Sequence, residues 1–495
     1  MSPVKTPLRN PFTESARAWV VLSTALVVII LLFYPFRYRI EFDPDEGINA
    51  IKAMMVLRGY RLYGEIWSDQ PPFFTYVLAG WFRLFGLRLT AGRLLVLLFS
   101  AGMIALATNY LRKNWGAAAA ICGGVTILLL PFFLRLSVSM MIGLPAIALA
   151  VASFYALSEW HDRPTMGTLV ASSVLLGLSI LTKGLSVILA PIWFIGILLK
   201  VLRDPGQRKG HQRWSQPLAW SGTLALMGIA SVVLLIGPEN IGQLLDVHVA
   251  AGQNEYLRTL PSLDSFLAES LAVFALALLG CAWAVVQRKW TALYLAAWLT
   301  LGYIVLRANQ PSWYHHQLFL TIPAAILGAV AAGSAIEALR RLPSERPGLL
   351  RLIASIGSLA VFLVFLAGRG PGTVDGLDGR LPNFTGPRPD EAAERELLAA
   401  IYRYADETNW MFTDRPIFAF AAEIPVPPNL AVISQKRMLT GGLTEEEIAA
   451  TLQAFSPEMI LIGRFDLPSV REYMRIRNFQ RIDQTLKYRL YFRPP

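Results

Sequence analysis

Apolar stretches long enough to cross a lipid bilayer recur through most of this sequence, and they decide what the chain can fold into. A transmembrane helix needs about 20 apolar residues, and about eleven segments reach that length. Of the 495 residues, 54% are hydrophobic and only 16% are charged, which is too apolar for a soluble globule. The sequence therefore predicts an all-α polytopic membrane domain over residues 1–368. The predicted spans are 17–36, 90–111, 115–134, 138–158, 166–182, 184–201, 217–236, 265–287, 290–306, 315–336 and 349–368.

Basic residues between these spans predict the orientation of the chain. The net charge of +11 is dispersed over short loops, which indicates membrane topology and contact with anionic headgroups rather than nucleic-acid binding. With the N-terminus inside, the loops rich in Lys and Arg are cytoplasmic. We therefore expect a multi-pass protein of a bacterial inner membrane with an uncleaved first span. Loops 37–89 and 237–263 and all residues beyond 368 are then extracytoplasmic.

Three of the outer regions have patterns of their own. In loop 37–89, the segment INAIKAMMVL predicts a helix in the interface plane, and FFTYVLAGWFRLFG predicts a re-entrant or juxtamembrane helix. Residues 369–390 are dense in Gly, Pro and Asp and predict a linker. Residues 391–495 predict a small extracytoplasmic α/β domain with a supporting role. Its predicted elements are a helix over 391–407, a strand over 410–413, a helix over 444–455, a strand over 458–462 and a hairpin ending at 492.

Four carboxylates crowd the first outer loop. Asp43, Asp45 and Glu46 follow the first span directly, and Asp69 precedes two prolines. Charges beside hydrocarbon are costly unless they are paired, hydrated or used. Helix capping accounts for these positions. The alternative is that one carboxylate with a raised pKa acts as a general base on an acceptor hydroxyl. Both interpretations stay open, because a capping arrangement also holds a carboxylate in place.

Cationic and aromatic residues are predicted at the same outer boundary. Lys183 lies between two spans, where it either extends to the interface or holds a lipid phosphate. His248 and Asp69 are candidate ligands of a divalent metal ion, although their spacing is not diagnostic. The other candidates either anchor the helices in an aromatic and basic belt or contact a phosphate or sugar. They are Arg93, Arg135, Arg307, Tyr314, His315 and His316.

The order of these motifs resembles the C-type glycosyltransferase (GT-C) superfamily, in particular the branch of lipid A aminoarabinose transferases and protein O-mannosyltransferases. The resemblance extends over almost the whole chain and includes the soluble C-terminal domain. The matching pieces are Pro44-Asp45-Glu46, Asp69-Gln70-Pro71-Pro72, Thr182-Lys183-Gly184, His248 and the polar-aromatic run before Ile322-Pro323.

This resemblance implies a GT-C fold and a specific reaction. Members transfer a sugar from a polyprenyl-phosphate carrier, such as undecaprenyl phosphate, to a lipid, glycan or protein acceptor on the outer face, with inversion at the anomeric carbon. By position, Asp45 matches the catalytic carboxylate and Asp69 an acidic residue of the donor site. Lys183 matches the lysine that faces the donor phosphate, and His248 matches a histidine that some relatives use beside a metal.

Two departures from the family pattern limit what the resemblance implies. Gln70 stands where a basic residue is common, and MMIGLP at 140–145 stands where an acidic residue is common. Both positions concern sugar or acceptor recognition, so neither sugar nor acceptor is assigned. Two other functions remain open. A transporter of lipids or lipid-linked sugars is disfavoured, because the polar groups gather at one face and no repeat is visible. An oligosaccharide polymerase or ligase of the same superfamily is also possible, because the sequence distinguishes it only weakly from a transferase of single sugars.

Overall fold

The computed structural model describes residues 11–203, 211–260, 263–308, 311–342, 348–375, 377, 381–484 and 488–494. Within these ranges, seven helical segments are long and apolar enough to cross a membrane, and four shorter helices are also apolar. The α-helices before the C-terminal domain are Pro11–Phe33, Pro44–Leu57, Phe73–Phe85, Leu89–Leu128, Phe133–Leu136, Gly143–Asp162, Met166–Thr182, Leu189–Arg203, His211–Ser231, Ile241–Gln253, Glu255–Arg258, Leu263–Leu267, Leu271–Val286, Ala292–Ala308, Leu318–Arg340, Leu349–Asp375 and Pro382–Thr385.

These helices confirm the predicted all-α membrane fold with a small C-terminal α/β domain. Two predicted spans, 90–111 and 115–134, form the single segment Leu89–Leu128, which is interrupted at Gly116. The backbone there has φ 86° and ψ −177°, a conformation that glycine adopts because it has no Cβ. Of the four shorter apolar helices, three fall on predicted spans, and Phe73–Phe85 is the predicted juxtamembrane helix.

Helix Leu318–Arg340 forms the core of the membrane domain, and nearly all of its residues are buried. Small residues let the neighbouring helices approach its backbone. A Cβ at Gly333 would lie 2.4 Å from Ala119 Cα, and a Cβ at Gly280 would lie 1.9 Å from the carbonyl oxygen of Leu327. Close approach through small residues is the usual way in which membrane helices pack. These contacts fix the helices from which the outer loops extend.

The connection over residues 129–142 differs from the prediction, which assigned most of it to two spans. Pro131 limits the long helix before it, because proline lacks the N–H that the next turn requires. The chain then turns through the short helix Phe133–Leu136. As a result, the backbone of Met140 reaches the first outer loop, where its carbonyl accepts a hydrogen bond from Asn49 Nδ2 at 3.0 Å.

Helix Pro44–Leu57, called the acidic helix below, begins with a capping arrangement. Asp43 accepts a hydrogen bond from the Asp45 backbone N–H, and Pro44 occupies the first turn, both of which favour a helix start. The run from Glu46 to Met55 is entirely buried. The acidic helix therefore lies inside the protein and not on a lipid-facing surface, as an amphipathic interfacial helix would.

The C-terminal domain contains a four-stranded sheet in the order β1-β2-β4-β3. Strands β1 and β2 are parallel, and β4 is antiparallel to both β2 and β3. Every predicted element of the domain is present, with bounds that shift by a few residues. The strands are β1 Met411–Thr413, β2 Met459–Ile462, β3 Gln480–Gln484 and β4 Arg489–Phe492. The helices are Pro389–Arg403, Pro416–Ala421, Gln435–Leu439, Glu445–Phe455 and Pro468–Ile476.

The C-terminal domain packs directly on the acidic helix. A Cβ at Gly47 would lie 2.6 Å from the backbone nitrogen of Ile417, so helix Pro416–Ala421, called the docking helix below, contacts the acidic helix backbone to backbone. An ion pair between Arg415 and Glu41 adds to this contact, and one continuous apolar cluster includes both helices. The predicted linker is shorter than expected, because the last membrane helix continues to residue 375.

Candidate active site

The predicted acids and several of the predicted cations meet in one group of side chains, called the outer cluster below. Hydrogen bonds, ion pairs or electrostatic interactions join its members. They come from the acidic helix, both outer loops, the helix junctions of the membrane domain and the C-terminal domain. The members are Asp43, Asp45, Asp69, Arg135, Lys183, His248, Tyr314 and Lys436.

Asp43 and Asp45 have different surroundings although they are neighbours. Asp43 Oδ1 accepts from the Asp45 backbone N–H at 3.0 Å, and Asp43 Oδ2 accepts from the Tyr314 hydroxyl at 2.6 Å. Among the described residues, the Asp45 carboxylate has no hydrogen-bond or ion-pair partner. Its side chain is accessible but has protein on most sides. Loss of bulk water, and then the charge of Asp43, raise the pKa of Asp45 to about 6. A carboxylate of this kind can accept a proton near neutral pH.

Glu46 does not belong to the outer cluster, which corrects its assignment to catalysis. Both Glu46 and Arg93 are fully buried, and their side chains form an ion pair of 2.8 Å. Arg93 has five N–H donors, and all are used by protein. Two bind Glu46, and three bind the carbonyls of Phe36, Arg39 and Ile40. Arg93 therefore has no donor left for a phosphate, and the pair holds the start of the acidic helix against the membrane domain.

Arg135 and Tyr314 support Asp43. The Arg135 guanidinium donates to the carbonyl of Phe42, lies 3.8 Å from Asp43 Oδ2 and lies over the Tyr314 ring at 5.1 Å from its centroid. The Arg135 side chain is still 33% exposed, so an anionic ligand can approach it. Arg135 can therefore serve both Asp43 and an anionic ligand.

Lys183 provides a cation without a counter-ion. It directly follows helix Met166–Thr182 in an extended conformation, and among the described residues its ammonium has no hydrogen-bond or ion-pair partner. Burial lowers the pKa of Lys183 to about 8, and the negative charge of Asp45 opposes that shift. The structure thus brings Lys183 and Asp45 within electrostatic range of each other. An unpaired ammonium beside an unpaired carboxylate is suited to a substrate with an anionic leaving group.

Asp69 and His248 lie together, as predicted for a metal site, but a third residue joins them. The Lys436 ammonium lies 2.6 Å from Asp69 Oδ2 and 3.3 Å from His248 Nδ1. His248 Nε2 lies 3.2 Å from the Asp69 carbonyl oxygen. Burial acting alone would raise the pKa of Asp69, but the charge of Lys436 and its hydrogen bond hold that pKa below its usual value. In the described part of the chain, no three His, Cys, Asp or Glu side chains are arranged to hold a metal ion. The residues present do not fit a metal, because an ammonium takes the positions that it would need.

The remaining predicted residues divide into two groups. His315 and His316 have ring centroids 4.6 Å apart, follow Tyr314 directly, and lie close enough to Lys183 to interact with it electrostatically. They line the edge of the outer cluster. Arg307, in contrast, pairs with Asp264 on an exposed surface. Its assignment to phosphate binding is therefore corrected, since its charge is already used away from the cluster.

Sequence reasoning missed three lysine and arginine residues near the acids. Lys436 and Arg464 come from the C-terminal domain, and no motif or spacing distinguishes them. The loop with Arg464 is held by Asp414, which accepts from the backbone N–H groups of residues 463, 464 and 465 at 2.8, 2.6 and 2.7 Å. Arg464 is exposed, and its charge acts on Asp45.

Lys52, the third of these residues, is buried two turns beyond Asp45 on the acidic helix. Its side chain is only 2% exposed, and Nζ donates to Ser68 Oγ at 3.3 Å. Burial lowers the pKa of Lys52, whereas Asp69 and Asp45 act to raise it. The position of Lys52 in an apolar helical pattern was a usable signal, because a lysine on the buried face of a helix is rare without a function or a partner.

Comparison with protein families gives a partial match to the sequence. The profile of the family described as "Dolichyl-phosphate-mannose-protein mannosyltransferase" matches residues 69–236. This range includes Asp69 and Lys183 and ends before the second outer loop. A search among curated proteins finds no match.

Comparison with solved structures covers nearly the whole chain. ArnT from Cupriavidus metallidurans in the apo state has a TM-score of 0.64 and 18% identity, with 96% of this chain and 98% of that chain covered. The same protein bound to undecaprenyl phosphate has a TM-score of 0.62 and 17% identity over the same shares. A third similar structure is the archaeal oligosaccharyltransferase AglB from Archaeoglobus fulgidus in complex with an inhibitory peptide and a dolichol-phosphate. It has a TM-score of 0.55 and 13% identity, and the match covers 91% of this chain and 69% of that chain.

The chain therefore has the GT-C fold. The predicted resemblance to that superfamily, with a likeness to ArnT, is confirmed. The apolar helices and this fold define a multi-pass membrane protein. At identities of 17–18%, the structural likeness defines the fold, and the reaction has to be argued from the outer cluster.

Proposed function

We propose that this protein is a membrane glycosyltransferase that transfers a sugar from a polyprenyl-phosphate carrier to an acceptor on the extracytoplasmic face, with inversion at the anomeric carbon. The observation that carries the proposal is that the Asp45 carboxylate and the Lys183 ammonium, neither of which has a partner among the described residues, interact electrostatically in one cluster. Support also comes from the family match and from ArnT, whose structure contains undecaprenyl phosphate.

Asp45 is assigned the role of general base. The acceptor hydroxyl gives its proton to Asp45 while its oxygen forms a bond to the anomeric carbon. A base with a pKa of about 6 is ionised at neutral pH and still accepts a proton readily. Asp43 holds the backbone of Asp45 through the capping bond, so it orients the base and raises its pKa. Inversion follows if the hydroxyl attacks from the face opposite the leaving group.

Lys183 is assigned to the donor phosphate. As the new bond forms, the bond between the anomeric carbon and the phosphate oxygen breaks, and its electron pair stays on the carrier phosphate. A cation beside that oxygen stabilises the developing charge. The Lys183 ammonium has no hydrogen-bond or ion-pair partner among the described residues, and the Arg135 side chain is 33% exposed. Asp69 lies on the other side of the cluster, where its contacts with Lys436 and His248 shape the donor site.

The test is transfer by the purified protein. A radiolabelled or fluorescent polyprenyl-phosphate sugar is incubated with candidate acceptors, and products are separated by mass. Comparison of lipids and glycans from a deletion strain and its parent first identifies the product that disappears, and so names the sugar and the acceptor. Absence of any new glycosidic bond with that donor and acceptor would overturn the proposal.

The orientation is part of the proposal. The basic loops favour an inner membrane of a bacterium with the outer cluster and the C-terminal domain on the extracytoplasmic side. Single cysteines placed in the C-terminal domain should react with a membrane-impermeant maleimide in intact spheroplasts. Labelling only after lysis would reverse the orientation.

A transporter of lipid-linked sugars is the competing function. Transporters usually hold their substrates near the middle of the membrane between repeated halves, whereas the unpaired charges here lie at one end of the helices. Movement of the carrier across reconstituted vesicles without sugar transfer would favour the transporter. A polymerase or ligase would give longer oligosaccharide products in the same transfer assay.

A further inference from the structure

The second half of the outer cluster contains a closed triangle of polar groups. Asp69 comes from the first outer loop, His248 from helix Ile241–Gln253 of the second outer loop, and Lys436 from the C-terminal domain. The Lys436 ammonium contacts both other side chains, at 2.6 Å to Asp69 Oδ2 and 3.3 Å to His248 Nδ1. All three side chains are partly or mostly buried.

The hydrogen bonds define how the histidine is used. His248 Nε2 lies 3.2 Å from the carbonyl oxygen of Asp69, which can only accept, so this nitrogen carries the proton. Nδ1 then has the lone pair, and the Lys436 ammonium lies beside the ring, at 3.3 Å from Nδ1 and 3.5 Å from Nε2. A metal ion would need the same lone pair and the same Asp69 oxygen. Lys436 therefore fills the space between the imidazole ring and the carboxylate in which such an ion would lie.

The short helix that presents Lys436 is held firmly. Ser434 caps it by accepting from the Arg437 backbone N–H at 3.1 Å. The Arg437 side chain is 2% exposed and donates to the carbonyls of Asn429, Val432 and Gly442. Its guanidinium also lies over the ring of Trp67 in the first outer loop, at 4.3 Å from the centroid. The position of Lys436 is thus fixed by its own domain and by the loop that it contacts.

We propose that Lys436 is a built-in cation that replaces a metal ion between Asp69 and His248 and joins the C-terminal domain to the two outer loops. The ammonium neutralises Asp69 and fixes the ring of His248, so the site keeps its shape without divalent ions. Lys436 is a positioning residue in this scheme. Its effect on transfer rests on the proposed function, whereas its effect on metal binding does not.

The scheme predicts that removal of the lysine side chain creates a metal site. In Lys436→Ala, the lone pair of His248 and the Asp69 carboxylate become free, and water can complete the coordination of Zn²⁺. We expect the purified full-length Lys436→Ala protein in detergent to bind added Zn²⁺ more tightly than the wild type, in which the ammonium fills that space. Transfer by this variant should fall about 10- to 100-fold and recover in part when Zn²⁺ is added.

Three variants make the test specific. Lys436→Arg keeps a cation between the two ligands and should bind no Zn²⁺. The double variant Lys436→Ala with His248→Ala should lose the ion gained by Lys436→Ala alone. Thermal unfolding and size-exclusion profiles of each variant separate metal binding from loss of folding, and the arginine variant keeps the test valid if the alanine variant unfolds.

Two results would overturn the inference. One is a stoichiometric metal ion in the wild type that is lost when His248 is replaced by Ala, which would mean that the ion and the lysine coexist. The other is Lys436→Ala with unchanged metal binding and unchanged transfer. Zinc gained by Lys436→Ala in a protein without any sugar transfer would support the inference and count against the proposed function alone.

Discussion

Replacement of Asp45 by Asn removes the proposed base and preserves the shape of its side chain. An amide cannot take the proton of the acceptor hydroxyl, so we expect kcat to fall by about 10²–10⁴-fold. The capping bond uses the backbone N–H of residue 45, and the acidic helix should therefore begin as before. Transfer is measured as initial rate at saturating donor and acceptor. A variant with more than about half of the wild-type rate would refute the assignment.

The raised pKa of Asp45 gives this prediction a second, independent measurement. Below pH 6 the carboxyl is protonated, and the wild-type rate should fall about tenfold per pH unit, because only the ionised form is active. Burial and then Asp43 raise the pKa, so Asp43→Asn should lower it and move the acid limb to lower pH. A flat profile between about pH 5 and 7, or a shift to higher pH in Asp43→Asn, would contradict the reasoning.

Stability provides the control for folding. The pKa of Asp45 is higher in the folded protein than in the unfolded chain, so its contribution to stability is present below about pH 4 and is lost as pH rises through about 6. The Asn variant has no charge to lose. Its unfolding temperature in detergent at pH 8 should equal or exceed that of the wild type. A strongly lowered unfolding temperature would attribute the loss of transfer to damaged folding.

Three further predictions follow from contacts in the same region. Lys183→Met should raise the KM for the donor at least about tenfold. The KM of the wild type should rise above about pH 8, where Lys183 loses its proton. Equal donor KM in both proteins across that pH range would contradict the phosphate contact. Glu46→Gln should lower the free energy of unfolding by about 3–5 kcal/mol, because Arg93 is left buried without its carboxylate. An unchanged midpoint of chemical unfolding would show that the ion pair is dispensable. Gly47→Ala should loosen the docking helix and increase hydrogen exchange in the C-terminal domain, because a Cβ at residue 47 overlaps the backbone of the docking helix. The control Gly80→Ala has open space around it and should leave hydrogen exchange unchanged. Equal exchange in both variants would refute the close contact.

Local signals in the sequence were enough for the membrane fold. Each predicted span is a continuous apolar run, because a helix in hydrocarbon must satisfy its own backbone and expose apolar side chains. The same locality explains the small domain, whose short strands and polar helices were predicted with bounds close to those observed. One error lies in the connection 129–142. Its residues are mostly apolar, so the sequence pattern does not distinguish this turn from a membrane span.

The roles of individual charges could not be read in the same way. Asp45 and Glu46 are adjacent and chemically alike, yet in the described part of the chain the Asp45 carboxylate has no partner, whereas Glu46 forms an ion pair with Arg93. Arg135 and Arg307 are both predicted at the outer ends of membrane helices. Arg135 lies near Asp43, whereas Arg307 pairs with Asp264. Which carboxylate is paired depends on distant segments that pack beside it, and sequence spacing has no information on that.

By itself, the sequence determined the order and approximate positions of the apolar helices, the acidic loop after the first of them, and the lysine at the junction of two middle helices. The tertiary structure alone decided that Lys436 lies between Asp69 and His248, at 2.6 Å from the carboxylate. The physical reason is the range of the interactions involved. Apolar burial in a bilayer is dictated residue by residue along the chain, whereas an ion pair between an early loop and a late domain exists only after the docking helix has packed on the acidic helix.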